Sequence, residues 1–278
     1  MNTMNTMNIN TMDTLRNQAK DLLSTGRIHV LIGYGEGSEK RIRALFIQNP
    51  AETDRLIADH RCTQNLGVYL MKPEVRALGK MGIVATLPVM RTVLQLASEH
   101  QLSDENVAVL GILENGTVRA FDNLQAVEEV VQQQYIELSP TEQAELDALD
   151  HKTMDERWAY WQEKLSACFK CYACRAACPM CYCTRCTVEC NQPQWIPAAS
   201  HQLGNLEWHM MRAMHLAGRC IECGECNRAC PLNIPVHLLS RKLAAEIRKD
   251  FNNRAGVSLK PENTLSTFKP DDKENFIG

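Results

Sequence analysis

Residues 168–179 read Cys168-Phe-Lys-Cys171-Tyr-Ala-Cys174-Arg-Ala-Ala-Cys178-Pro179, and residues 220–231 repeat the pattern as Cys220-Ile-Glu-Cys223-Gly-Glu-Cys226-Asn-Arg-Ala-Cys230-Pro231. Both spell C-x2-C-x2-C-x3-C-P, the ligand spacing of bacterial 4Fe-4S clusters. Three thiolates on one tight loop reach three irons of a cubane, while the fourth, held by the proline that follows it, points away and serves the other cluster. The expected ligand sets are therefore Cys168, Cys171, Cys174 with Cys230, and Cys220, Cys223, Cys226 with Cys178. Zinc also takes four thiolates, but from paired C-x2-C knuckles rather than from a triple run.

Between the copies, Cys181-Tyr-Cys183-Thr-Arg-Cys186-Thr-Val-Glu-Cys190 adds four thiols. Residues 168–190 thus hold eight cysteines, more than one loop of a two-cluster fold requires. Twelve clustered thiols at four per cluster make three, so the simplest count is a third 4Fe-4S cluster on Cys181, Cys183, Cys186 and Cys190. Structural zinc and partial or exchanged ligation are the alternatives for this group. Lys170, Arg175, Arg185, Arg219 and Arg228 lie within or beside the loops, where positive charge favours a reduced, more anionic cluster. His201, His209 and His215 are read as structural or surface residues, since cysteine already supplies enough ligands.

Of the thirteen cysteines only Cys62 lies before residue 168, a clustering that suits ligands and not disulfide staples. Cys62 itself reads as a packed thiol. The formal charge of -3 leaves no basic field for nucleic acid. The first residues lack the basic start and apolar stretch of a secretory signal. No apolar run reaches the roughly 18 residues that span a bilayer, so no membrane span and a cytoplasmic location are expected.

Working outward from the cysteines, residues 1–12 are an Asn/Thr/Met-biased tail with too little bulk to pack, expected to be disordered. Residues 13–138 alternate elements in an α/β manner. A helix is expected over 13–24, strands over 28–34 and 41–48, and a helix from Pro50 to about residue 60. Strand 82–87, a helix carrying Val89, Val93, Leu94 and Leu96, and strand 106–113 make a βαβ unit on a partly parallel sheet. Glu114-Asn115-Gly116-Thr117 turns into a strand over 118–121, followed by a helix over 124–133. Gly33-Tyr-Gly35-Glu-Gly37-Ser38 suggests a phosphate loop, but a strand pattern follows where a dinucleotide site needs a helix, and a structural turn is the preferred reading.

Ser139-Pro-Thr-Glu142 and Thr153-Met-Asp-Glu156 are capping boxes, so residues 139–167 form a helical connector bearing Trp158 and Trp161. Residues 168–250 are the cysteine-rich domain, with helices over 205–218 and 235–249; in the first, Leu206, Met210, Ala213, Met214 and Leu216 are the apolar members. Residues 251–278, polar and punctuated by proline, are an extended tail suited to docking on a partner. The fold class is α+β: an N-terminal α/β domain with a mixed or partly parallel sheet, a helical connector, and a ferredoxin-like cluster domain.

On CFKCYACRAACPMCYCTRC and GRCIECGECNRACP the chain resembles the iron-sulfur subunits associated with heterodisulfide reductases, formate dehydrogenases and deazaflavin-dependent hydrogenases of anaerobes. Residues 28–113 are similar to the domain shared by the beta subunits of those hydrogenases, through VLIGYGEG and GIVATLPVMRTVLQL. Some members bind flavin there, and Val89 stands where the likeness expects a cysteine. The resemblance implies an electron-transfer subunit of a redox complex whose partner is a flavoprotein, a molybdenum or tungsten subunit, or a hydrogenase-type catalytic subunit. No nucleophile-base pair, P-loop or hydrolase motif supplies substrate chemistry. The alternatives are an oxidoreductase with flavin in the N-terminal domain and a non-redox zinc or cluster scaffold.

Overall fold

The computed structural model describes residues 9–134, 138–186, 188, 190 and 192–261. Helix α1 (Ile9–Ser24) is followed by strands β1 (Val30–Glu36) and β2 (Ile42–Ile47), a short β3 (Leu56–Ile57), the single-turn α2 (Pro73–Arg76), β4 (Met81–Ala85), α3 (Leu87–Ser98), β5 (Val107–Ile112), β6 (Val118–Ala120) and α4 (Leu124–Gln132). The sheet order is β2-β1-β4-β5-β6, with β3 also pairing β1. β1/β4 and β4/β5 run parallel, in registers that begin Val30↔Met81 and Met81↔Val107; the remaining pairs are antiparallel. Every residue of β4 is buried, as a strand covered on both faces should be. The βαβ unit and the hairpin at residues 114–117 stand where the sequence places them.

Three local expectations change. The first helix begins at Ile9, not at residue 13, because Met12 packs on the core and the Thr11 hydroxyl donates to the Gly116 carbonyl at 3.0 Å. Residues 1–8 of the expected tail lie outside the described residues. The segment after Pro50 is a 3-10 turn ending at Arg55, not a helix to residue 60, since Leu56 and Ile57 leave it to pair with β1. Gly33 and Gly35 lie inside β1 and not in a turn. A Cβ on Gly33 would overlap the Leu56 side chain, so the glycine admits the neighbouring core residue and forms no phosphate cradle.

Helices α5 (Pro140–Asp150) and α6 (Met154–Ser166) start at the two capping boxes, both complete. Then come α7 (Ala173–Ala176), α8 (Gln202–His215), α9 (Glu225–Arg228) and α10 (Val236–Phe251). A second core of Leu165, Val188, Ile196, Leu206, Trp208, Ile234 and Val236 sits among these elements, separate from the sheet core. Beyond α10 the chain returns to the first domain. Ala255 O accepts from Arg91 Nη2 at 2.8 Å, Gly256 N–H donates to Gln95 Oε1 at 2.8 Å, and Leu259 N–H donates to Glu128 Oε1 at 2.9 Å. The described part of the expected docking tail is therefore bound to its own N-terminal domain; residues 262–278 lie outside the described residues. Among the described residues no helix is long and apolar enough to cross a membrane.

Candidate metal centres

Each C-x2-C-x2-C loop wraps by the same backbone device. Lys170 and Tyr172 take positive φ (55° and 59°) after Cys168, and Glu222 and Gly224 take it (62° and 74°) at the matching places after Cys220. A non-glycine residue held there costs about 1–3 kcal/mol, a strain that persists where the surrounding structure fixes it, as at ligand clamps. One result is an amide aimed at sulfur: Lys170 N–H donates to Cys168 Sγ at 3.4 Å. After each loop comes one helical turn, α7 or α9, and the two turns pack against each other. The fourth cysteines are set alike, Cys178 N–H donating to Arg175 O and Cys230 N–H to Asn227 O, both at 3.1 Å. Ile234 N–H donates to Cys230 Sγ at 3.4 Å.

Packing α7 on α9 brings the fourth cysteine of each copy to the other copy's loop. Cys178 lines a single cavity with Cys220, Cys223 and Cys226. Cys168 is close enough to Cys171 and Cys230 to interact with them electrostatically, as Cys174 is to Cys226, Cys168 and Cys171. Burial raises three of these thiols, Cys174 to about 11, Cys223 to about 12 and Cys220 further, so these three are stable when protonated and must give up a proton when they ligate.

What surrounds the thiols suits an anion. On α8, Asn205, His209 and Arg212 are buried and face the first loop. Asn205 Nδ2 donates to Cys168 O at 2.7 Å, His209 Nε2 lies 3.3 Å from Cys168 Sγ, and Arg212 Nη2 donates to Cys174 O at 3.0 Å. Burial acts to lower the Arg212 pKa, yet the charges of Cys178, Cys181, Cys174 and Cys226 outweigh it and raise it. Its Nε has no hydrogen-bond partner in the protein, an orphaned buried donor of the kind bridging sulfide would accept from. The loops' own acids are neutralised: Glu222 lies near Arg91 (3.8 Å) and Arg248 (3.4 Å), and Glu225 accepts from Asn65 N–H at 2.9 Å and pairs with Arg228.

The sequence does not single out Arg212, and of His209 it suggests only a structural or surface role; both are buried beside the first cysteine loop. The helix over 205–218 was expected to turn Met210 and Met214 inward, but these are exposed and a polar stripe is buried in their place. Positions 205, 209 and 212 lie on one helical face, so three hydrogen-bonding side chains at i, i+4 and i+7 beside cysteine loops were the available signal. Of the five cations noted in sequence, Arg175 donates to Cys183 O at 2.9 Å, Lys170 is buried against Pro197 O, Arg219 and Arg228 are held by Glu99 and Glu225, and Arg185 is exposed.

The intervening thiols are arranged differently. Cys181, Cys183 and Cys186 line a second cavity together with Arg175, Trp208, Arg212, His215 and Arg219. Trp208 Nε1, like Arg212 Nε, is buried without a protein acceptor. Cys190 does not line that cavity; it is exposed, and its N–H donates to Cys186 O at 2.8 Å. Cys181 donates to Cys178, which lowers the Cys178 pKa against its burial and raises that of Cys181. Among the described residues no three His, Cys, Asp or Glu side chains close on one point as a single metal ion requires. That holds for the two ferredoxin-type groups as well. His201 caps α8, accepting from Gly204 N–H at 3.3 Å. Cys62 is buried, accepts from Asp59 N–H at 3.4 Å and is raised to about 11 by burial, a packed thiol. Val89 is fully buried in α3.

The 4Fe-4S dicluster domain family matches residues 181–235, a span holding the intervening thiols and the second copy of the motif. The F420-dependent formate dehydrogenase subunit beta of Methanocaldococcus jannaschii is 34% identical over 104 residues, 36% of this chain and 27% of the relative. The F420-dependent formate dehydrogenase 1 subunit beta of Methanococcus maripaludis is 32% identical over 97 residues, 35% of this chain and 24% of the relative. The matched part spans about a quarter of these relatives. Residues 181–235 are thus similar to a 4Fe-4S dicluster domain, and about 100 residues of the chain are similar to part of the beta subunits of two F420-dependent formate dehydrogenases.

Proposed function

We propose that the chain relays single electrons between a catalytic subunit and a second redox carrier in a multi-subunit oxidoreductase. Cys168, Cys171, Cys174 and Cys230 would hold one 4Fe-4S cluster, and Cys220, Cys223, Cys226 and Cys178 the other. The observation that carries this reading is the position of the fourth cysteines: Cys178 lines the cavity of the second loop, and Cys230 is close enough to Cys168 to interact with it electrostatically. When bound, each cubane takes up and returns one electron. The protein's own part is to fix the thiolates, to donate Lys170 N–H, Ile234 N–H and Arg212 toward the anionic ligand shells, and to neutralise Glu222 and Glu225.

A third cluster on Cys181, Cys183, Cys186 and Cys190 belongs to the same proposal. Its support is the cavity that the first three share with Arg175 and Arg219. The relatives are beta subunits of formate dehydrogenases, which favours as partner a catalytic subunit of that kind. The reading places the chain in the cytoplasm, where clustered thiols stay reduced.

Anaerobic titration at controlled potential tests the function. Visible absorbance that bleaches and returns in one-electron steps is the expected result; colour that does not respond to reductant contradicts it.

A further inference from the structure

Arg212 stands where the three thiol groups meet. It lines the cavity of Cys178, Cys220, Cys223 and Cys226, and it also lines the cavity of Cys181, Cys183 and Cys186. Its Nη2 donates to the carbonyl of Cys174 in the first loop. The side chain is 6% exposed, and its Nε has no protein partner. Of the other cations near the loops, Arg91 and Arg248 are paired with Glu222, Arg219 with Glu99 and Arg228 with Glu225, while Lys170 and Arg175 hold backbone carbonyls and Arg185 is exposed. Among the described residues no carboxylate pairs with Arg212, and the charges that face it are those of Cys174, Cys178, Cys181 and Cys226.

A buried cation is very costly unless an anion compensates it, so this position is built around anionic metal-thiolate cores. Charge interaction is strong in a dry interior and falls off only as the inverse of distance, so one guanidinium between two cores acts on both. Reduction adds one negative charge to a core. The neighbouring cation favours that state.

We propose that Arg212 is the shared counter-charge of the two ferredoxin-type centres, a positioning residue that raises both reduction potentials together. The inference rests on the two-cluster reading above. It adds that one side chain outside the ligand set, on α8, holds the two centres at potentials that move in step.

The test compares wild-type protein with Arg212→Gln and Arg212→Lys, each prepared anaerobically, by iron and sulfide content and by potentiometric titration followed by electron paramagnetic resonance. In Arg212→Gln, iron is retained and both midpoints move negative. At the wild-type midpoint the reduced-to-oxidised ratio falls about tenfold at each centre, a shift of about 59 mV for one electron. Arg212→Lys returns most of the shift. Should Arg212→Gln lose iron while Arg212→Lys keeps it, charge is again what the site needs and the inference stands. Unchanged midpoints, a shift at one centre alone, or equal loss of iron in both variants overturns it. Wild-type protein without iron and sulfide would instead overturn the two-cluster reading.

Discussion

Arg219, on the approach to the second cysteine loop, grips Glu99 at the end of α3 at two points, Nε to Oε1 at 2.8 Å and Nη2 to Oε2 at 2.6 Å. The Tyr182 hydroxyl, from the segment after the first loop, donates to the same carboxylate at 2.6 Å. One side chain of the first domain thereby ties down both cysteine loops. Burial acts to raise the Glu99 pKa, and the hydrogen bonds from Arg219, Tyr182 and Gln95 outweigh it and lower it.

Removing the charge should loosen the docking of the two domains. Glu99→Gln is expected to cost about 2–3 kcal/mol, the range for losing charge-assisted hydrogen bonds at a largely buried site, as measured by denaturant unfolding. Because the folded pKa is lowered, this contribution is whole above the ordinary value of 4.5 and fades as pH falls through the folded value. The stability gap between wild type and Glu99→Gln should therefore narrow in acid; a constant gap argues against the ion pair as its source.

Ligand exchange between the loops makes a pattern that ordinary within-loop ligation does not. Cys178→Ser and Cys220→Ser should perturb the same spectroscopic centre, and Cys230→Ser and Cys168→Ser the other. If Cys178→Ser pairs with Cys168→Ser instead, each loop holds its own cluster.

Gly33→Ala should destabilise the first domain by about 1–3 kcal/mol through overpacking against Leu56. Iron content should not change, because the side chains that a Cβ on Gly33 meets are Leu56 and Val84 and no thiol. Thermal unfolding of Gly33→Ala and of the double variant Gly33→Ala/Leu56→Ala checks this: the second change should recover part of the loss that overlap causes.

Stripping the metal with a chelator should not unfold the chain evenly. The sheet core is built mainly from the first domain's own side chains, with Cys178, Cys181 and Cys220 packed only on its margin, whereas the second core has Cys174 within it and Cys168, Cys186, Cys226 and Cys230 packed on it. Hydrogen exchange should show amides of residues 168–250 losing protection while β1, β4 and β5 keep theirs. Equal loss in both regions contradicts that division.

Much of this could be read in the chain because it rests on local rules. The capping boxes at Ser139 and Thr153, the βαβ unit around α3 and the cysteine spacing each depend on a few adjacent residues. The errors arose where distant segments decide. Leu56 leaves its turn because β1 offers a partner and Gly33 a gap; Ala255 and Gly256 lie on α3 because Arg91 and Gln95 bind their backbone. Arg212 does not stand out in the sequence for the same reason: its value depends on thiols far from α8 along the chain.

Anaerobic iron and acid-labile sulfide content tests the central claim most directly. The account predicts about eight irons per chain with matching sulfide from two clusters, rising to about twelve if the intervening thiols hold a third. Zinc without sulfide would contradict it.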